Sequence, residues 1–294
     1  MRFAIVAASL ALAASSASAQ ADNDPANDPL PPFKIAEGLY YVGASDYASY
    51  LIVTKAGLIV LDGGDAVTGK QVVANIRTLG FDPRAVKILL NSHQHFDHAA
   101  GLAEIQRASG GRAKLYASEA DGPIIAAGGR GDPLLKGARF EYEPVQPAGL
   151  LKDGQKVRLG GWTLTANITG GHTRGCTTWT FPVTVAEGAR RTVREALVHC
   201  SNSVLPGYRL VGEQTFPGQA QAYEASYRFW RSAKCEVFLA SHGQFFRMKQ
   251  KRAALDAGVT ANPYVDPAGC KAFFEAGYNS YQAEFAKQQA AAAR

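Results

Sequence analysis

Val86-Lys87-Ile88-Leu89-Leu90-Asn91-Ser92-His93-Gln94-His95-Phe96-Asp97-His98 is the stretch on which the reading of this chain turns. Val86 to Leu90 is a short apolar run with the composition of a buried strand, and it runs directly into a polar loop. Three of the chain's six histidines fall within residues 93–98. A loop at the end of a buried strand is where a rigid scaffold places reactive groups. Alternating positions let His93 and His95 point the same way, while Asp97 and His98 turn toward a second point. Four ligands on so short a loop suit two metal ions better than one. Imidazole and carboxylate, with no thiolate in the stretch, suit Zn²⁺ or a similar borderline ion.

Working outward, Leu39–Val42, Tyr50–Thr54 and Leu58–Leu61 read as a β-meander, closed by Asp62-Gly63-Gly64. Thr68–Leu79 has helical spacing at Val72, Val73, Ile76 and Leu79, with Gly80 as its stop. Ala99–Ala108 reads as a helix and Lys114–Ala117 as a strand. Gly128–Gly137 reads as a surface loop that could act as a flap. Strands are expected near Lys156–Leu159, Thr163–Ile168, Thr177–Val183 and Ala196–His199. Gln219–Ala233 is an amphipathic helix, Glu236–Ala240 a strand delivering Ser241-His242, and Phe273–Ala293 a final helix. Strands and helices thus recur in two similar halves. The expected fold class is α/β, a four-layer αβ/βα sandwich with two sheets packed between helices in one domain.

The chain has 294 residues, 47% of them apolar and 19% charged, the profile of an ordered globular protein. Its +6 formal charge is scattered, with no basic stripe of the kind that binds nucleic acid. Arg2, the largely apolar run Phe3–Ala14 and the small residues Ala17-Ser18-Ala19 read as a secretory signal peptide over 1–19, too short to span a bilayer. Export to a periplasm follows as the expectation. Residues 20–34 read as a mobile N-terminal arm and 35–294 as the domain. An exported chain can form disulfides. Cys235, just before a strand, and Cys270, opening the last helix, are expected to pair. Closing that loop would stabilise the fold by roughly 3–4 kcal/mol. Cys176 and Cys200 flank a hairpin, and two readings stand for them: a second disulfide, or two buried thiols.

His-x-His-x-Asp-His after a strand resembles the signature of the metallo-β-lactamase superfamily. Val60-Leu61-Asp62-Gly63-Gly64, Gly171-His172-Thr173-Arg174-Gly175 and Ser241-His242-Gly243 extend the resemblance over nearly the whole chain after residue 19. Gly170 and Arg174 stand where many members carry proline. The resemblance implies one zinc held by His93, His95 and His172, and a second by Asp97, His98 and His242. Asp62 would orient the motif loop from behind. Five of six histidines are thereby used, and His199 is left as structural.

Most non-lactamase branches of that superfamily bridge the two metals with an aspartate lying between the third and last histidines. This chain has no aspartate between Asp153 and Asp256, and the corresponding strand reads Ala196-Leu197-Val198-His199-Cys200-Ser201-Asn202. A lactonase or a glyoxalase II-like thioesterase is the alternative that this speaks against. Retention of His98 resembles subclass B3 of the β-lactamases, as do Ser241–Phe246, Asn262–Asp266, Cys270 and Pro206-Gly207-Tyr208. A one-residue slip in register would instead bring Cys200 to the zinc.

The resemblance implies zinc-dependent hydrolysis of the amide bond of penicillins, cephalosporins and carbapenems, conferring antibiotic resistance. Catalytic roles fall to Asp97 and His172. Ser201, Ser203 and Tyr208 are candidates to contact the substrate carboxylate, with plain loop polarity as the other reading. Phe245 and Phe246 either wall the cleft or belong to the core. A serine route would need a Ser-x-x-Lys motif, which does not occur. The expected partner is a small molecule rather than nucleic acid or membrane, and the expected state is a monomer.

Overall fold

The structure, a computed structural model, describes residues 24–188 and 190–294. The signal peptide expected over 1–19 lies outside the described residues. Seven strands form the first sheet in chain order: β1 (Phe33–Ala36), β2 (Leu39–Tyr41), β3 (Tyr50–Thr54), β4 (Gly57–Leu61), β5 (Val86–Leu90), β6 (Lys114–Ser118) and β7 (Pro147–Leu151). Its first four strands pair antiparallel as a meander, and β4 to β7 pair in parallel. The second sheet has β8 (Lys156–Leu159), β9 (Trp162–Ile168), β10 (Thr177–Glu187), β11 (Arg190–His199) and β12 (Val237–Ala240), in the order β12-β11-β10-β9-β8.

Strand alternation divides the first sheet between two cores, because successive side chains point to opposite faces. Tyr50, Ile52, Ile59, Leu61 and Leu90 point toward the second sheet and share a core with Leu164, Ala166, Trp179 and Phe181. Leu51, Val60 and Leu89 face the other way. They pack on Val72, Val73 and Ile76 of α1 (Ala66–Thr78) and on Leu102 and Ile105 of α3 (Leu102–Ala108). On the far side, α5 (Gln219–Ser232) and α7 (Pro267–Ala292) contribute Tyr223, Tyr227, Trp230, Phe274 and Tyr281. The layers are therefore αβ/βα, as the alternation of elements implied.

Three departures from the sequence reading bear on the site. The single helix expected over Ala99–Ala108 is two. A one-turn α2 (Phe96–Ala99) already contains Asp97 and His98, and α3 follows after Gly101. The break lies where the backbone passes the turn at Gly63. A Cβ on Gly101 would overlap the Gly63 carbonyl oxygen, so only glycine permits the approach. Second, the expected mobile arm is packed over its described part. Asn27 is buried, its amide donates to Asp65 Oδ2 at 2.6 Å and its carbonyl oxygen Oδ1 accepts from Thr68 Oγ1 at 2.5 Å. Phe33 already belongs to β1. Proline and asparagine there serve a short 3₁₀ turn, Pro25–Asn27, capped by Asp24, rather than chain flexibility. Third, α4 (Gly122–Ala126), β7 and α6 (Met248–Asp256) were not read from the sequence.

Both disulfides are formed, Cys235–Cys270 and Cys176–Cys200. The open reading of Cys176 and Cys200 is thus decided for a bond, and Cys200 is not free to ligate a metal in this state. The final helix begins at Pro267, six residues earlier than expected, with Asp266 accepting from Gly269 N at 2.8 Å as its cap.

Candidate metal centre

The site lies where β4, β5, β9, β11 and β12 end. Asp62 closes β4 in a left-handed conformation, φ 60°, which aspartate tolerates better than most residues. That turn aims its carboxylate under the histidine loop. Oδ1 accepts from Ser92 N at 2.6 Å and Asn91 Nδ2 at 3.2 Å, and Oδ2 lies 3.5 Å from His98 Nδ1. Trp179 on β10 donates its indole N–H to Asn91 O at 3.1 Å, tying the second sheet to the same loop.

Two clusters of ligand atoms result. The ligand atoms of His93, His95 and His172 all lie within 4.8 Å of one another, and all three residues are buried. In the second cluster, His98 Nε2 lies 3.2 Å from His242 Nε2 and 3.3 Å from Asp97 Oδ2, and His242 Nε2 lies 3.5 Å from Asp97 Oδ2. Atoms about 2.0–2.1 Å from one tetrahedral zinc stand about 3.3–3.4 Å apart, so these separations match a shared ion. His93 borders both clusters, its ring 4.8 Å from that of His172 and 4.2 Å from that of His98.

The outward nitrogens explain the inward ones. His172 Nδ1 donates to Ser203 O at 2.9 Å, and His242 Nδ1 lies 2.9 Å from Asp46 Oδ2. His93 Nδ1 lies 3.0 Å from Ser92 Oγ, and His95 Nε2 lies 3.4 Å from Asp132 Oδ2. A ring that gives its proton outward keeps its other lone pair for a metal. The donor set and its hydrogen bonds therefore fit divalent ions of the zinc type.

The two clusters differ electrostatically. Burial, with the neighbouring imidazoles, pushes His93 and His172 well below the usual histidine range. Burial also opposes charge on His98, but the Asp97 and Asp62 carboxylates overcome it and raise that ring to about 10. Asp97 in turn is held well below the carboxylate range, against burial, by His98 and His242.

Three further carboxylates, each missed by the sequence reading, hold the ligand loops. Asp46 accepts from Gln244 N at 2.8 Å as well as facing His242. Asp132 accepts from Gln94 Nε2 at 2.6 Å and from the amides of Leu134 and Leu135 at 2.8 and 2.6 Å. It pins the Gly128–Gly137 loop beside the site. Asp121 bridges the two loops of the three-histidine cluster. It accepts from Gln94 N at 3.1 Å on one and from Thr173 Oγ1 at 2.7 Å and Gly175 N at 2.8 Å on the other. Burial raises Asp121 to about 6 despite those donors. Gly175 admits the contact because a Cβ there would overlap Ser118 Oγ. Each of the three is an acidic residue in a loop, with no spacing to mark it.

The remaining named residues fall as follows. Ser201 is buried, and its hydroxyl accepts from Ser203 N at 3.2 Å; Ser203 is partly exposed. Tyr208 is buried and donates to the His172 carbonyl oxygen, so it braces the ligand loop. A cavity of about 100 Å³ beside His172 is lined by Gln94, Asp132, Thr173, Arg174 and Tyr208, among others. His199 is fully buried among Trp230, Phe245, Phe273 and Phe274, away from both clusters' ligand sets. Phe246 belongs to the core, whereas Phe245 is only partly buried, its ring 5.0 Å from that of His242.

Residues 42–185 match the family model described as the metallo-β-lactamase superfamily. Two curated relatives, from Mycobacterium bovis and Mycobacterium tuberculosis and both described as uncharacterized, are 31% identical over 135 residues. That alignment takes in 43% of this chain and 56% of theirs, so the match spans little more than half their length. Among solved structures, the native FEZ-1 metallo-β-lactamase from Legionella gormanii superposes with a TM-score of 0.84 at 40% identity, covering 90% of this chain and 98% of that one. BJP-1, a subclass B3 metallo-β-lactamase of Bradyrhizobium japonicum, superposes with a TM-score of 0.83 at 33% identity, covering 91% and 98%. MEM-A1, a subclass B3 enzyme from a soil metagenome library, gives 0.81 at 29% identity, covering 90% and 99%. The chain belongs to the metallo-β-lactamase superfamily, in its subclass B3.

Proposed function

We propose that this protein hydrolyses the amide bond of β-lactams, among them penicillins, cephalosporins and carbapenems, and so confers resistance to them. One zinc is held by His93, His95 and His172, and a second by Asp97, His98 and His242. The observation that carries the reading is the pair of three-ligand clusters at one cleft, with the outward nitrogens of His172 and His242 held by Ser203 O and Asp46 Oδ2. Similarity to enzymes named as metallo-β-lactamases along nine-tenths of the chain supports the β-lactam class. The lactonase or thioesterase alternative lacks its bridging carboxylate, since β11 ends at His199 and runs on into Cys200-Ser201-Asn202.

Zinc bound here supplies Lewis acidity toward a carbonyl and generates a hydroxide nucleophile at neutral pH. Asp97, kept ionised by His98 and His242, accepts a hydrogen bond from the attacking water and sets its direction. His172 is fixed at both ends of the residue, its ring by Ser203 O and its carbonyl by Tyr208. Ser201 and Tyr208 shape the loop on which Ser203, the partly exposed member, meets the substrate carboxylate. A water nucleophile needs no acyl-enzyme, and the serine hydroxyl paired with a ligand histidine, Ser92 Oγ at 3.0 Å from His93 Nδ1, is buried.

Export to the periplasm is supported by the two disulfides, which persist in oxidising compartments. A monomer is supported by the scatter of the large exposed apolar side chains among the described residues, Leu150, Val193 and Val259, over separate elements. The test is hydrolysis of nitrocefin and a carbapenem by the purified protein. Turnover abolished by EDTA and restored by zinc is expected. No turnover with about two zincs bound per chain would hand the site to another acyl substrate.

A further inference from the structure

His93 has a second face. Its Nε2 side belongs to the three-histidine cluster, while Nδ1 looks back into the protein, 3.0 Å from Ser92 Oγ and 3.6 Å from Cys200 Sγ. Cys200 is bonded to Cys176, both are fully buried, and the two sulfurs and a His93 ring nitrogen all lie within 4.8 Å of one another. We propose that reduction of the Cys176–Cys200 disulfide opens a third metal site, formed by Cys176 Sγ, Cys200 Sγ and His93 Nδ1. It would take a thiophilic divalent ion such as zinc or cadmium, and would compete with the three-histidine cluster for His93.

The donor chemistry and the geometry both favour this. Two thiolates and an imidazole are a common zinc ligand set. With Zn–S of about 2.3 Å and Zn–N of about 2.0–2.1 Å, tetrahedral ligands S and N stand about 3.6 Å apart, the separation of Cys200 Sγ and His93 Nδ1. The sulfurs also stay together without their bond. Cys176 and Cys200 flank the β10–β11 hairpin, whose ladder pairs every residue from Trp179↔Val198 to Glu187↔Arg190, and their Cα atoms are 5.8 Å apart.

The step balances. A dithiol reductant gives up two electrons and two protons, the Cys176–Cys200 S–S bond breaks, and the reductant's own sulfurs join. A divalent ion then displaces both thiol protons, and its two charges balance those of the two thiolates. Competition follows from the ring. A neutral imidazole has one lone pair, so an ion on Nδ1 leaves the proton on Nε2, where it points into the three-histidine cluster. The second disulfide is an internal control, since no three-ligand group forms around Cys235 and Cys270 among the described residues.

The test is a cobalt(II) titration of the metal-free protein, followed by the near-ultraviolet thiolate-to-cobalt charge-transfer band. The band should be absent from the oxidised protein and present after reduction. In Cys176→Ser, where Cys200 is free without any reductant, it should appear at about half intensity. It should vanish in Cys176→Ser/Cys200→Ser and survive reduction of Cys235→Ser/Cys270→Ser. The proposal is overturned if Cys176→Ser shows no band, if the reduced protein shows none with all four thiols titratable, or if the band persists in the Cys176→Ser/Cys200→Ser chain. The location of the cluster rests on the proposed function, but this readout does not. A band from a protein that hydrolyses no β-lactam keeps this inference and removes that one.

Discussion

The two ligand clusters are built from similar residues but held in opposite ways. His93 and His172 are flanked by uncharged acceptors, Ser92 Oγ and Ser203 O, and burial keeps both rings neutral. His98 and His242 are flanked by Asp62, Asp97 and Asp46, and the Asp97 and Asp62 charges raise His98 to about 10 against burial. The first cluster is ready for an ion at neutral pH. The second holds a proton where the ion must go. Cluster one therefore depends on loop geometry, and cluster two on charge balance.

Removing a ligand breaks the comparison most directly. His98→Ala should lower zinc content from about two to about one per chain and reduce nitrocefin turnover by more than the 10–100-fold typical of an outer partner. Metal analysis beside kinetics reads both, and unchanged zinc content would defeat the assignment of cluster two. Losses at the outer carboxylates should be smaller and confined to one cluster each. Asp46→Asn should weaken one zinc roughly 10–100-fold and leave the other in place. Asp121→Ala should do the converse, weakening the three-histidine site. It also strands the Gln94 and Gly175 amides and the Thr173 hydroxyl, at about 1–3 kcal/mol for each buried unsatisfied group. Competition with a chromophoric chelator gives the affinities, and a thermal melt gives the stability. If either variant weakens both sites equally, the clusters are not held independently.

A subtler difference is in protons. Because His98 is raised to about 10, loading cluster two near pH 7 should release about one proton, whereas the neutral rings His93 and His172 should release almost none. Calorimetry in buffers of different ionisation heat reads this, and identical proton release for both ions would contradict the electrostatic distinction. The sign extends to the metal-free protein. A ring raised from its ordinary value contributes stability that is complete below about 6.5 and fades as pH rises through about 10. Its melting temperature should therefore fall over that interval.

The six proposed ligands were legible because chemistry crowds them. Three histidines within residues 93–98 of a chain holding six have no ordinary explanation, and His172 and His242 sit in glycine-flanked turns of a known pattern. Short apolar runs in β3 to β5 likewise revealed strands, since both faces of that sheet must meet a core. The carboxylates behind the ligands were not legible. Asp46, Asp121 and Asp132 sit in loops and reach their partners only after folding, over as many as 198 residues for Asp46 and Gln244. The arm was misread because Asn-Asp-Pro is equally the composition of a loose tail and of a capped turn. The split between α2 and α3 was missed because it arises from a tertiary contact, the approach of Gly101 to Gly63, which no local propensity encodes.

The most direct test is to add zinc stepwise to the metal-free protein while measuring bound metal and carbapenem hydrolysis together. Two ions per chain, bound at both clusters with activity appearing as they fill and lost again to EDTA, is the predicted result. A chain that fills both clusters and leaves every β-lactam intact, or that turns over with no metal bound, would contradict it.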